Sequence, residues 1–191
     1  MPAQHPNEGF ATICRADDAA KTFALDGIDA NAWRDERHLM ASGYWYWYWE
    51  DQTVPVSVTN GLFRIGDGYL AKQKRPADGR SVVLVNSLKA VDAPGEWYLD
   101  AEGKRLYLKP PAEGCGGIFI SQTDPFVSAT GCSNIVWRNM TLVGGRSTAF
   151  DLQGRNLCVE DCRIGAFGCR AAAFKGEGHV FRRNRVRGLG G

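Results

Sequence analysis

NIVWRNMTL (134–142), NLCVEDCRI (156–164) and GHVFRRNRV (178–186) fall into register when written under one another, their starts 22 residues apart both times. Apolar residues then share columns: Ile135 with Leu157, Trp137 with Val159 and Phe181, Met140 with Cys162, Leu142 with Ile164 and Val186. A second set places Phe150 over Ala172 and Leu152 over Phe174, and glycine-containing turns at Gly144-Gly145, Gly154, Gly165, Gly176 and Gly188 separate the segments. PFVSATG (125–131) reads as the equivalent strand of the preceding turn, with one extra residue in its connection. A 22-residue period with several short strands per repeat is that of a parallel β-helix coil. Leucine-rich repeats have a similar length but need an LxxLxLxxN pattern that is missing. One coil cannot bury its inward face alone, whereas the next coil, stacked about 4.8 Å away, covers like with like. The reading therefore predicts Trp137, Val159 and Phe181 stacked and buried inside the coils, with Glu160 pointing outward.

The outward columns carry charge. Arg138, Glu160 and Arg182 alternate in sign, and Asn139, Asp161 and Arg183 form the next column. Opposite charges on adjacent strands stabilise by a few tenths of a kcal/mol each, roughly. That role is weighed against catalysis for both acids.

Upstream of residue 118 no period is sustained. Residues 1–117 are expected to be an irregular β-rich region and 118–191 the first coils of a truncated β-helix, all-β throughout. TVPVSVTN (53–60) alternates at period 2 and reads as a strand, and SVVLVNSL (81–88) as a more buried one. In 94–111, EWYLD and RLYLK flank Ala101-Glu102-Gly103-Lys104, a hairpin with Gly103 expected at the left-handed position and Pro110-Pro111 as its stop. A short helical turn is expected around Trp33 to Leu39. GYWYWYWED (43–51) reads as a strand with Tyr44, Tyr46 and Tyr48 on one face and Trp45, Trp47 and Trp49 on the other. The run is expected to be mostly core, with an exposed edge able to stack on the C–H faces of sugars.

Composition bounds the rest. The 191 residues are 44% hydrophobic and 23% charged, an ordinary globular balance enriched in aromatics at 11%. No apolar run approaches 18 residues, so a membrane span is not expected, and MPAQHPNEGF shows no secretion signal. The cell compartment stays open. Cys14, Cys115, Cys132, Cys158, Cys162 and Cys169 form no CxxC pair, and His5, His38 and His179 stand far apart, so zinc spacing is absent. The cysteines read as mostly free, buried thiols. Residues 134–191 hold 10 basic against 4 acidic side chains, a net of +6, while 1–133 carry −4. Such a block attracts polyanions or simply makes a solvated face, and no recognisable nucleic-acid module accompanies it.

PNEGF (6–10), the tract from Trp33 through GYWYWYWED, and NSLKAVDAPGEWYLDAEGKRLYLKPP (86–111) together resemble bacterial right-handed parallel β-helix proteins of the carbohydrate-active kind, whose relatives include polysaccharide lyases and glycoside hydrolases. With the coil repeat, the resemblance covers nearly the whole chain. It implies a polysaccharide or oligosaccharide substrate, degraded by hydrolysis or elimination, or held without cleavage in an adhesion-type relative. Such proteins carry many coils, so this chain reads as a piece of a longer one. An uncapped last coil is then expected to self-associate through Phe174, Phe181 and Val186, more so at high salt because Arg182, Arg183, Arg185 and Arg187 repel.

Site candidates follow from the spacing of coils. Carboxylates on adjacent coils stand about 5 Å apart, the separation of retaining glycosidases, and two coils give the inverting separation. Asp151, Glu160 and Asp161 are the catalytic acid candidates, with Asp124 just upstream. Lys175 is the candidate base for a lyase. Trp45, Trp47, Trp49, Arg163 and Arg170 are candidates for holding substrate. No metal ligand set is evident; Ca²⁺ enters only if a lyase uses it to neutralise a uronate. His179 shares the inward column of Ile135 and Leu157 and reads as a core or coil-end histidine.

Overall fold

The structure, a computed structural model, describes residues 2–67, 75–114 and 116–190. It divides into two compact units, 1–115 and 116–191. Strands dominate both, and the helical pieces among the described residues are two short 3₁₀ turns, Ala30–Trp33 and Leu88–Ala90. The first turn therefore lies upstream of the expected Trp33 to Leu39. Asp29 sets its start, its side chain accepting a hydrogen bond from the backbone N–H of Asn31.

The first unit holds β1 (Gln4–His5), β2 (Ala11–Asp17), β3 (Thr22–Leu25), β4 (Met40–Gly43), β5 (Gln52–Thr59), β6 (Leu62–Ile65) and β7 (Ser81–Val85). The strands pair in the ring β7–β2–β3–β6–β5–β4, and β4 returns to β7 antiparallel, which closes a barrel. The sequence reading of this region as irregular is corrected by that closure. Period-2 segments place Val54 and Val56 of β5, Phe63 and Ile65 of β6, and Val82 and Leu84 of β7 in one core with Phe23 and Leu39. Val83 and Val85 are buried as well, so β7 is covered on both faces, as its unbroken apolar run predicts.

A hairpin, β8 (Trp97–Asp100) and β9 (Arg105–Leu108), belongs to the same unit and spans the expected segments. Its left-handed residue is Lys104 (φ 51°), not Gly103. Gly103 lets Asp100 fold back on the turn: its N–H donates to Asp100 Oδ1 at 2.8 Å, and a Cβ there would fall 2.3 Å from that carboxylate's other oxygen and force the side chain to shift. Asn86 fixes the hairpin in place. Its side chain accepts from Leu99 N–H at 2.9 Å and donates to the carbonyls of Leu99 and His38.

The second unit is β-helix-like. Its strands are β10 (Val127–Ser133), β11 (Val136–Arg138), β12 (Thr141–Gly145), β13 (Thr148–Arg155), β14 (Cys158–Glu160), β15 (Arg163–Phe167), β16 (Arg170–Glu177), β17 (Val180–Arg182) and β18 (Arg185–Leu189). They form three parallel three-stranded sheets, β10–β13–β16, β11–β14–β17 and β12–β15–β18. Every second- to third-turn pair keeps the 22-residue offset, Phe150 opposite Ala172, Val159 opposite Phe181 and Ile164 opposite Val186. The extra residue near PFVSATG is not in a connection. It is a bulge inside β10 at Gly131, where the pairing shifts from Val127 opposite Phe150 to Cys132 opposite Gly154.

Phe150, Leu152, Leu157, Val159, Ile164 and Phe167 make the core of this unit. Trp137, Val159 and Phe181 share a column as predicted, and Glu160, the next residue along β14, is covered by the arginines of the neighbouring turns and does not face solvent. Only Val159 is fully enclosed: Trp137 is half-buried, and Phe181 is 43% exposed with no described strand beyond it. The corners repeat too. Asn134 and Asn156, then Asn139, Asp161 and Arg183, take positive φ, as do Gly144, Ala166 and Gly188. Asn and Gly are enriched there because they tolerate the left-handed region that a sharp turn between sheets demands.

Candidate functional site

The aromatic run is not a strand. β4 ends at Gly43, and residues 44–51 form a loop whose burial falls along its length. Trp45 is 2% exposed, packs edge-on to Phe23 with centroids 5.5 Å apart, and donates its indole N–H to the carbonyl of Gln52 at 2.8 Å. Its ring belongs to the barrel core and no sugar can reach it, which removes Trp45 from the substrate-holding candidates. Trp49, by contrast, is 75% exposed and stacks on Trp47 at 5.2 Å and 18°. Tyr46 meets Trp47 edge-on at 5.0 Å, and Tyr48 lies exposed under the Arg80 guanidinium at 4.5 Å. One buried indole thus anchors a surface platform of rings. Aromatic pairs held in offset or edge contact keep their geometry without a ligand, so little ordering is required when a flat apolar face docks.

The acids of the second unit are placed differently. Glu160 is 1% exposed, clamped between Arg138 and Arg182 of the neighbouring turns and touched by Arg183 at 3.1 Å. Hydrogen bonds from Arg182 and Arg138 hold its pKa down to about 2, against the smaller opposing effect of burial. Asp161 forms a two-pronged pair with Arg183, at 2.7 and 2.8 Å, and this keeps its carboxyl below the usual range. The oxygens of both carboxylates are held by these arginines, so both are corrected from catalytic candidates to members of the charge ladder. Asp151 is exposed on the outer face of β13, in a column with Ser128 and Ala173. Asp124 caps the neighbouring backbone, accepting from Thr148 N–H at 3.0 Å. Asp151, Glu160, Asp161 and Glu177 occupy four different columns, so the described coils bring no two carboxylates into the adjacent-coil relation that retaining hydrolysis uses.

Lys175 lies exposed on β16, one step diagonally from Asp151, and lines an open depression of about 520 Å³ with Thr130, Gln153 and the Arg155–Glu177 ion pair. Arg170 is exposed at the head of β16. Arg163 is exposed on β15 and lines a second groove of about 310 Å³. His179 closes the coil end: Nδ1 accepts from Leu157 N–H at 3.4 Å, and the ring stacks on Phe174. Cys14, Cys132, Cys158, Cys162 and Cys169 are free, Cys162 buried and the others half-buried; Cys115 lies outside the described residues. Among the described residues no group of three or more His, Cys, Asp or Glu side chains converges on a metal position. No described helix is long and apolar enough to cross a membrane.

No family model and no curated protein matches this chain. Its fold is similar to that of a solved structure titled "Glycoside hydrolase", with a TM-score of 0.71 over 95% of this chain at 11% identity. The chain spans 46% of that protein's length.

Proposed function

We propose that this chain works on carbohydrate, as part of a polysaccharide-degrading protein whose second unit is a right-handed parallel β-helix. The observation that carries the reading is the ring platform of Tyr46, Trp47 and Trp49, built on a buried Trp45 and open to solvent. Aromatic faces in that setting suit the apolar faces of pyranose rings, and indole and phenol groups supply hydrogen bonds to hydroxyls. The fold likeness to a protein titled glycoside hydrolase supports the same substrate class. Degradation by hydrolysis or by elimination needs an acid–base set, for which exposed Asp151 and Lys175 are the remaining candidates.

The ion pairs that occupy Glu160 and Asp161 favour a second reading, in which this chain holds glycan and does not cleave it. Affinity electrophoresis against a panel of neutral polysaccharides, followed by mass spectrometry of the products, separates the two. Retardation that Trp49→Ala abolishes supports glycan binding, and shortened or unsaturated products support degradation. No retardation with any polysaccharide refutes the ring platform as a glycan site.

A further inference from the structure

Two neighbouring sheets of the coil unit treat arginine in opposite ways. On β11–β14–β17 and the corner beside it, Arg138, Arg182 and Arg183 are each ion-paired with Glu160 or Asp161. On β12–β15–β18, Arg163 stands directly opposite Arg185 in the ladder, and Arg187 follows two residues along. Among the described residues none of these three has an acidic partner, although all three are exposed. Like charges one strand apart, about 4.8 Å, repel and destabilise the sheet. A sheet that keeps them unneutralised gains nothing from them in stability.

The same three arginines border the groove of about 310 Å³, whose floor is Gly165 and whose far wall is Thr141 and Val143, the latter 61% exposed. Gly165 is the informative residue. Its φ lies outside the left-handed region, and a Cβ built on it meets nothing nearer than the Arg187 carbonyl oxygen at 3.5 Å, an ordinary contact. Neither backbone nor packing requires glycine there, and glycine inside a strand costs roughly 0.5–1 kcal/mol relative to alanine. The three glycines of the larger depression differ: a Cβ on Gly154 or Gly176 would fall 1.9 Å from a backbone carbonyl oxygen, and Gly131 takes a left-handed φ of 69° at the bulge. The larger depression follows from close strand approach, whereas the smaller one exists because a side chain is left out.

We propose that this groove binds an anionic polysaccharide, Arg163, Arg185 and Arg187 taking successive carboxylate or sulfate groups while Val143 and the Gly165 floor meet the sugar's apolar face. The inference rests on the carbohydrate reading and narrows its substrate class to acidic glycans. Guanidinium suits both anions because its fixed fork donates two parallel hydrogen bonds.

The test uses the intact chain in fluorescence titrations with polygalacturonate, dextran sulfate and neutral dextran. Binding to one or both acidic polymers, weakened at least tenfold between 50 and 500 mM NaCl, is expected, with dextran weaker by a similar factor. The preferred polymer tells carboxylate from sulfate. Arg163→Gln should weaken binding at least fivefold, and Gly165→Leu at least tenfold although it leaves net charge unchanged. Arg146→Gln, an equal loss of charge away from the groove, should change it less than twofold. Full binding by Gly165→Leu, equal losses from Arg146→Gln and Arg163→Gln, or no preference over dextran would each overturn the site. Circular dichroism of each variant confirms that it is folded. Loss of Trp49-dependent retardation on neutral glycans bears only on the ring platform, so the two readings fail separately.

Discussion

Replacing Leu152 by alanine, and separately its neighbour Asp151, tests the coil register at a single step of chain. Leu152 is fully buried between Ala129 of one turn and Phe174 of the next, while Asp151 faces solvent. Leu152→Ala withdraws three buried carbons, worth about 2.4 kcal/mol at about 0.8 kcal/mol each. A cavity contribution adds to this, because Ala129 is too small to fill the space and only half-buried Phe174 can move into it. The expected total is about 3–4 kcal/mol, within the measured range for such truncations. Asp151→Ala, with no ion pair or hydrogen bond to lose among the described residues, should stay within about 0.5 kcal/mol. Urea unfolding followed by far-ultraviolet circular dichroism measures both, and an unchanged slope shows that the midpoint shift reports stability. Comparable losses at the two positions, or a larger loss at Asp151, would refute the inward–outward assignment of the whole coil unit.

Other expectations are equally direct. Trp49→Ala should leave stability within about 0.5 kcal/mol while abolishing retardation on neutral glycans, whereas Trp45→Ala should cost about 3–5 kcal/mol; equal stability losses would contradict their placement. Glu160, held down to about 2, and Asp161, held below its ordinary range, contribute stability that is complete above about pH 4.5 and is lost on acidification, the Glu160 part as pH falls toward 2. Thermal melts at pH 7, 4.5, 3 and 2 should therefore hold nearly level and then drop in the last two steps, and Glu160→Gln should flatten that drop. Gly154→Ala should cost about 3 kcal/mol or more, since its Cβ would meet the Cys132 carbonyl oxygen at 1.9 Å, while Gly165→Ala should be neutral or stabilising by up to about 1 kcal/mol. Similar melting temperatures for the two glycine variants would contradict the groove geometry.

The coils were legible because the strands after β10 pair with residues 22 positions away, so spatial stacking is written into the sequence as columns. The barrel was not. Its ring closes through pairs such as Ala11 with Val82 and Ala41 with Leu84, antiparallel and far apart, which leave no fixed interval to read. The aromatic run misled for a related reason. Alternation of Tyr and Trp satisfies a period of two, yet residues 44–51 leave the sheet at Gly43, and exposure is set by distance from the barrel core. Trp45 is core and Trp49 is surface, although strict alternation assigns them one face.

Charge on the coils separates into what stability explains and what it leaves over. At the corner of Asn139, Asp161 and Arg183, φ values of 58°, 54° and 53° place three non-glycine residues in the left-handed region, at a cost of up to about 1–2 kcal/mol each. The same geometry directs Arg183 onto both Asp161 oxygens and toward Glu160, so a cost at the backbone is offset by ion pairs between turns. Those acids and their arginines are accounted for by the fold. Arg163, Arg185 and Arg187 are not: they sit on regular strand positions, repel one another across the ladder, and border a depression that one unneeded glycine keeps open. Within the described strands, the direct Arg163–Arg185 opposition beside Gly165 is a cost that no described ion pair offsets. On this surface that reasoning selects the β12–β15–β18 face.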